Sequence, residues 1–462
     1  MRSSRLTALI VACALFMQNL DSTVISTALP AMAHTFGVDP VRMNVALTSY
    51  LLSLAVFIPA SGWMADRFGT RTVFRAAIAV FTVASVLCGR ADSLAFLVAA
   101  RVLQGVGGAM MLPVGRLLLL RSVPRSELVS AMAWLTVPAL VGPVVGPPLG
   151  GFLVTYASWR WVFDINVPIG VLGIVLVSLF IPDAREAESY PLDGRGLVLS
   201  GLAMAALMAG LETAGRGLVP GWATLALLGA GGAAAGGYLL HARSRARPLL
   251  DLSLLRVGTF RVSVVSGSLF RVGVGAVPFL LPLMLQLGFG DSALQSGLVT
   301  FASSAGALLM KPVTGFALRR LGFRTTLVWN GVLSAALLGA MGLFRPDWPA
   351  PALYGVLLAG GFARSLQFTA YNAVAYADIP AARVSAATTL YTTIQQLSIT
   401  LGVSAGAGAL ELASVLAGRA HPGVGDYAAA FMAVAAVSLA AAPMAAMLGP
   451  EDGAEMSGKA RA

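Results

Sequence analysis

Charged and amide side chains set inside long apolar runs are where this sequence can do chemistry. Asp21 stands in Met17-Gln18-Asn19-Leu20-Asp21-Ser22-Thr23, and a carboxylate at membrane depth is suited to taking up and releasing protons. Arg101 opens Arg101-Val-Leu-Gln104-Gly105. A guanidinium does not readily give up its proton, so Arg101 serves either to bias a nearby carboxylate or to bind an anion. Gln18, Gln104, Arg271, Lys311, Arg364, Gln367 and Asn372 are the remaining candidates to line a substrate cavity. Each deep cation reads equally as a substrate contact or as part of an ion pair that holds helices together. Arg116, nearer a helix end, reads as a side chain that snorkels to the headgroups. Asp164 reads as a partner of Arg160 or a cap of the sixth apolar run, and Glu411 as a second deep acid.

Other chemistries lack their parts. His34, His241 and His421 all fall in loops, and Cys13 and Cys88 in apolar runs, so a histidine relay, a disulfide or a metal site is not expected. Gly453-Ala-Glu-Met-Ser-Gly458-Lys459-Ala460 lacks the final Ser or Thr of a phosphate-binding loop and sits in a short polar tail. With no nucleophile, base and metal ligand clustered together, the chain is not expected to be an enzyme.

The elements that must position these residues are membrane helices. The chain is 57% hydrophobic and 11% charged, with a mean hydropathy of +0.82. Its apolar runs repeatedly reach the roughly 20 residues needed to cross a hydrocarbon core of about 30 Å. They lack the alternation of a barrel, so an all-α polytopic membrane protein is expected. Apolar length and helix breakers place about fourteen spans. Six lie near 6–32, 43–65, 73–90, 93–120, 127–156 and 162–182, and two near 195–212 and 222–241. Six more lie near 261–287, 294–315, 325–344, 350–375, 384–414 and 426–448. The expected organisation is an N-terminal six-helix bundle (1–182), a linker with two extra helices (183–260), a C-terminal six-helix bundle (261–449) and a polar tail (450–462). Most of the 31 basic residues then fall in loops on one side, which places both termini in the cytoplasm. The net charge of +11 has this source and does not indicate nucleic acid. The first apolar run continues through Asp21 to Pro30, so it reads as a span rather than a signal peptide.

One short loop appears twice. Gly62-Trp-Met-Ala-Asp66-Arg67-Phe-Gly69-Thr-Arg71 joins the second and third spans, and Gly315-Phe-Ala-Leu-Arg319-Arg320-Leu-Gly322-Phe-Arg324 takes the same place in the second block. Paired halves are typical of transporters that rock one bundle against the other. Inside the fifth span, Gly142-Pro143-Val-Val-Gly146-Pro147-Pro148-Leu-Gly150-Gly151 combines small residues that permit close helix approach with prolines that remove donors and bend a helix.

Together these strings resemble the major facilitator superfamily, specifically its fourteen-span drug:proton antiporters of the EmrB/QacA type, and the likeness covers essentially the whole chain. Gly62, Asp66, Arg67, Gly69 and Arg71 are similar to the family's gating loop, with Thr70 where a second basic residue is usual. Leu20-Asp21-Ser-Thr23 with Ala28-Leu-Pro30 resembles the first-span motif. Arg101, Gln104 and Gly105 resemble the fourth-span motif associated with proton coupling. Gly142, Gly146, Pro147, Gly150 and Gly151 match the antiporter motif, which marks exporters. Ser158-Trp-Arg-Trp-Val-Phe-Asp164-Ile-Asn166-Val-Pro168 resembles the start of the sixth span, with Asp164 in place of an apolar residue. The resemblance implies a monomeric, multi-pass transporter of the bacterial inner membrane that needs no cofactor beyond the proton gradient. Its partners would be the lipid bilayer and a small-molecule substrate. Proton coupling would rest on Asp21 and Arg101, and Asp66 with the loop arginines would latch the cytoplasmic side. Drug-exporter likeness favours small amphipathic cargo. The excess of deep cations over deep anions favours the alternative, an exporter of organic anions or metal-chelating carboxylates.

Overall fold

The computed structural model describes residues 2–38, 44–124, 127–181, 191–213, 219–245, 248–291, 293–419 and 422–457. The first half comprises α1 (Arg2–Phe36), α2 (Asn44–Phe57), α3 (Ser61–Phe68), α4 (Thr70–Gly89), α5 (Leu94–Ser122), α6 (Leu128–Tyr156), α7 (Trp161–Asp164) and α8 (Asn166–Phe180). Next come α9 (Gly194–Thr213) and α10 (Gly221–Arg243). The second half holds α11 (Gly258–Gly275), α12 (Val277–Leu283), α13 (Ala293–Met341), α14 (Ala350–Val374), α15 (Val384–Leu416), α16 (Val424–Leu439) and α17 (Ala441–Ala445), and α18 (Ala454–Ser457) lies in the tail. Among the described residues there is no strand, and ten helical stretches are long and apolar enough to cross a membrane. The stretch containing α10 has only 11% of its most apolar window buried. Trp222, Leu225 and Leu240 therefore stand exposed, a surface suited to lipid rather than water.

The repeated loop is repeated in three dimensions. Gly69 has φ 88° and ends α3 where α4 begins. Gly322 has φ 75° and interrupts α13. A positive φ strains any residue with a Cβ, which explains glycine at both places. At 49 residues, α13 would be about 74 Å long if straight, more than twice the thickness of a bilayer core. It instead folds back on itself at Gly322. Ser303 packs against Gly361 of α14, while Leu337 and Met341 pack against the adjacent Gly360, so the two arms of α13 lie side by side.

The apolar core is arranged unequally along the molecule. At the end that carries Gly69 and Gly322, one continuous cluster joins first-half residues such as Val11, Leu117 and Leu128 to second-half residues such as Phe260, Leu318 and Tyr391. Toward the opposite end the halves have separate cores. Leu20, Val24, Leu97 and Phe163 belong to one, and Leu280, Met284, Phe344 and Tyr427 to the other. The halves are thus closed on each other at the Gly69 end.

Candidate functional site

Asp21 sits at the middle of α1 and is 1% exposed. Arg101 donates from Nη1 to its Oδ2 at 2.6 Å. Its Oδ1 accepts from Gln104 Nε2 at 3.0 Å and from Asn166 Nδ2 at 2.9 Å. Arg101 and Gln104 are three apart on α5, hence on one helical face, and Arg101 also donates to Gln104 Oε1 at 2.6 Å. Arg101 Nε donates to the Ala46 carbonyl at 3.1 Å, and the guanidinium lies 4.4 Å from the centre of the Tyr50 ring. Gln104 in turn donates to Ser85 Oγ at 2.8 Å. Five helices (α1, α2, α4, α5 and α8) thus converge on one buried carboxylate, whose charge is balanced by one guanidinium. Such a pair is costly to break, since removing either member strands a buried charge.

The glycines of α6 explain how α1 reaches this position. A Cβ on Gly146 would lie 2.1 Å from Thr23 Oγ1, and one on Gly142 would lie 3.1 Å from the backbone nitrogen of Leu20. Glycine is therefore required where α6 crosses the Asp21 turn. Gly150 is buried and Gly151 faces open space. The Pro147 side chain lies outside the described residues. The expected bend does not break α6, which runs as a single helix through Pro138, Pro143, Pro147 and Pro148.

In the gating loop Asp66 has a partner from outside the loop. Arg121, at the end of α5, donates to Asp66 Oδ1 at 2.8 Å. Arg71 reaches away to the Ser178 carbonyl at the end of α8. Gly62 makes the contact between halves: Ser385 Oγ of α15 donates to its carbonyl at 3.0 Å, and Ser61 Oγ lies 3.4 Å from Thr389 Oγ1. Beside this contact, His241 Nε2 lies 2.8 Å from Asp193 Oδ1, so α10 is tied to the start of α9. Burial alone would raise the Asp193 carboxyl, but hydrogen bonds from the Gly196 N–H and from His241 outweigh it and hold it below the ordinary value. Asp251 behaves alike, with burial outweighed by Ser253 and Arg383.

Arg116 does not snorkel. It is 3% exposed and donates across the halves to Thr392 Oγ1 at 3.4 Å and Gln395 Oε1 at 3.2 Å. Arg271 is 1% exposed and donates to the Tyr391 hydroxyl and, at 3.4 Å, to Asn372 Oδ1. Lys311 donates to Thr369 at 3.1 Å and Arg364 to Ser303, while Gln367 binds Asn330 and the Leu327 carbonyl. Gln18 lies half-buried on α1 near Gly108 and Tyr50. Two acids move out of the picture. Glu411 is exposed on its helix, and Asp164 pairs with Arg90 at 3.3 Å rather than with Arg160. Ser85 and Tyr50 join the site although the sequence does not single them out, and so does Asn166, which the sixth-span string contains without marking it as a site residue. Their only signal is polarity inside an apolar run. Among the described residues no three His, Cys, Asp or Glu side chains come together to hold a metal.

Two helical halves that close on each other at one end, lipid-facing apolar helices and a deeply buried ion pair define a multi-pass membrane transporter. The chain belongs to the Major Facilitator Superfamily, whose model matches residues 11–403 and 263–462. Among its relatives are proteins named for multidrug resistance, MdtD. That of Serratia proteamaculans is 41% identical over 403 residues, 86% of this chain and 83% of the relative. That of Pectobacterium carotovorum is 40% identical over 399 residues, 86% and 84% of the two chains. The fold is also that of the human organic anion transporter MFSD10, with a TM-score of 0.69 and 16% identity over 96% of this chain and 99% of that one. The proton:xylose symporter XylE gives 0.65 and 14% over 95% and 94%. The protein is a transporter of the bacterial inner membrane and not an enzyme.

Proposed function

We propose that this transporter is a proton-coupled exporter that moves small amphipathic compounds by alternating access. In this reading fourteen spans form a six, two, six arrangement divided at 1–182, 183–260 and 261–449. Both termini are cytoplasmic, the protein acts as a monomer and the proton gradient drives it. The observation that carries the proposal is the carboxylate of Asp21, buried and held by Arg101, Gln104 and Asn166. Taking up a proton there removes the charge that holds Arg101, so α1 and α5 lose their strongest mutual contact. The turn of α1 around Asp21 lies against Gly142 and Gly146, and α6 packs on α13 and α14 of the second half. A change of charge at Asp21 thereby reaches the boundary between the halves. Closure at the Gly69 end fits a state sealed toward the cytoplasm, in which a proton is loaded from outside as cargo leaves.

Asp21→Asn in proteoliposomes tests the coupling. Efflux driven by a pH gradient should be lost while cargo-for-cargo exchange at equal pH persists. Gradient-driven efflux that survives the substitution refutes the assignment. A second reading, an exporter of organic anions or metal-chelating carboxylates, is favoured by one observation. Arg116, Arg271 and Lys311 are buried and, among the described residues, neither they nor Arg364 has a carboxylate partner.

A further inference from the structure

Arg116 and Arg271 come from opposite halves and share one aromatic ring. Their guanidinium carbons lie 5.4 and 4.9 Å from the centre of the Tyr391 ring. Both side chains are buried, and the Nε atom of each has no hydrogen-bond partner. The bonds that Arg116 does make are long and go to neutral oxygens. Arg101, equally buried, has Asp21. Neither of these two has an acid among the described residues, and a guanidinium cannot shed its charge to escape burial. Stacking on an aromatic face compensates part of that cost. The remainder calls for an anion, and a planar carboxylate is the group that a guanidinium fork matches best.

The surroundings define what the carboxylate is attached to. Phe260 and Tyr376 lie 6.2 and 5.9 Å from Tyr391, centre to centre, and Phe368 lies 5.4 Å from the Arg271 guanidinium. Asn372 and Gln395 supply neutral polar contacts at the edge. We infer that Arg116 and Arg271 form a carboxylate-binding site for an aromatic acid, built from both halves and complete only when they close at the Gly69 end. The inference rests on the exporter reading for the direction of transport, and it fixes the charge and character of the cargo. Closing the halves brings two like charges to one ring. A bound carboxylate therefore stabilises the closed arrangement, whereas an organic cation adds a third positive charge.

Three probes of similar shape separate charge from hydrophobicity: benzoate, benzyl alcohol and benzylamine, titrated at neutral pH into the purified full-length protein in lipid nanodiscs. Benzoate should bind saturably and raise the thermal midpoint, with benzyl alcohol and benzylamine at least tenfold weaker. Arg116→Gln and Arg271→Gln should each weaken benzoate at least tenfold, and Arg116→Lys should recover part of the loss. If a Gln variant does not fold, the Lys variants carry the test, because they keep the charge and lose the planar fork. They should bind benzoate a few-fold more weakly than the parent. Absence of saturable benzoate binding, equal binding of benzylamine, or unchanged benzoate affinity in the variants overturns the inference. The two readings fail differently. Gradient-driven efflux that survives Asp21→Asn alongside intact benzoate binding removes the proton coupling alone, and charge-blind binding alongside lost coupling removes the carboxylate site alone.

Discussion

Adding one methyl group at Gly62 should shift the balance between the two end states of the transport cycle. A Cβ there would lie 2.4 Å from Thr389 Oγ1, 2.9 Å from Ser385 Oγ and 3.2 Å from the Ser385 carbonyl. All three atoms belong to the other half, so Gly62→Ala clashes only while the Gly69 end is closed. Overpacking of this size costs about 1–3 kcal/mol, and each 1.4 kcal/mol is about tenfold in an equilibrium. The closed population should fall relative to the open one by about fivefold to about 150-fold. The helix-propensity gain of alanine over glycine is made in both states and cancels. Labelling of a Thr388→Cys reporter in inside-out vesicles by a membrane-impermeant maleimide reads the shift directly, with Cys13 replaced by serine in every variant. Gly62→Ala should speed labelling and slow export, and Gly62→Ala with Thr389→Ala should recover part of both. If labelling is as slow in Gly62→Ala as in the parent, the halves do not meet at this glycine in the working protein and the reasoning fails.

Gly146→Val should reduce gradient-driven transport to background while leaving helical content unchanged. The reason is that it separates α6 from Thr23 and hence from the Asp21 turn; wild-type efflux rates in Gly146→Val would show that the contact carries no coupling. Asp193→Asn should lower the thermal midpoint at pH 7. Because the folded Asp193 carboxyl lies below its ordinary 3.8, its stabilisation is complete above that value and is lost as pH falls through the folded value. The midpoints of parent and variant, measured in detergent from pH 7 to pH 3, should therefore converge only at the acid end.

Much of this was legible in the sequence because it depends on local requirements. Only glycine tolerates the positive φ of a one-residue turn between antiparallel helices, so Gly69 and Gly322 mark their turns without reference to the rest of the chain. Charges at membrane depth need partners, and Asp21 and Arg101 find each other. What could not be read depends on which distant surface lies opposite. Arg116 stands near a helix end, where snorkelling is the natural reading, yet it is buried and bonds to α15 of the other half. Asp164 has Arg160 one turn away, yet its position opposite the end of α4 gives it Arg90. The Arg121 contact of Asp66 is also invisible in the sequence, because it arises where the end of α5 comes to lie beside the loop. Asn166 and Ser85 carry no charge to betray them, and they matter only because five helices meet at one point.

The one-residue turns have a mechanical meaning. With Gly69 alone between α3 and α4, there is no slack for one helix to slide along the other, and the same holds on the two sides of Gly322. Each pair must travel as a stiff strut of fixed length. The nearest departure from regular α-helix is the short 3₁₀ turn Ile58–Ala60 with its proline, directly before the gating loop. The Gly62 segment, which meets α15, thus lies between a one-residue joint at its tip and a 3₁₀ turn directly behind it.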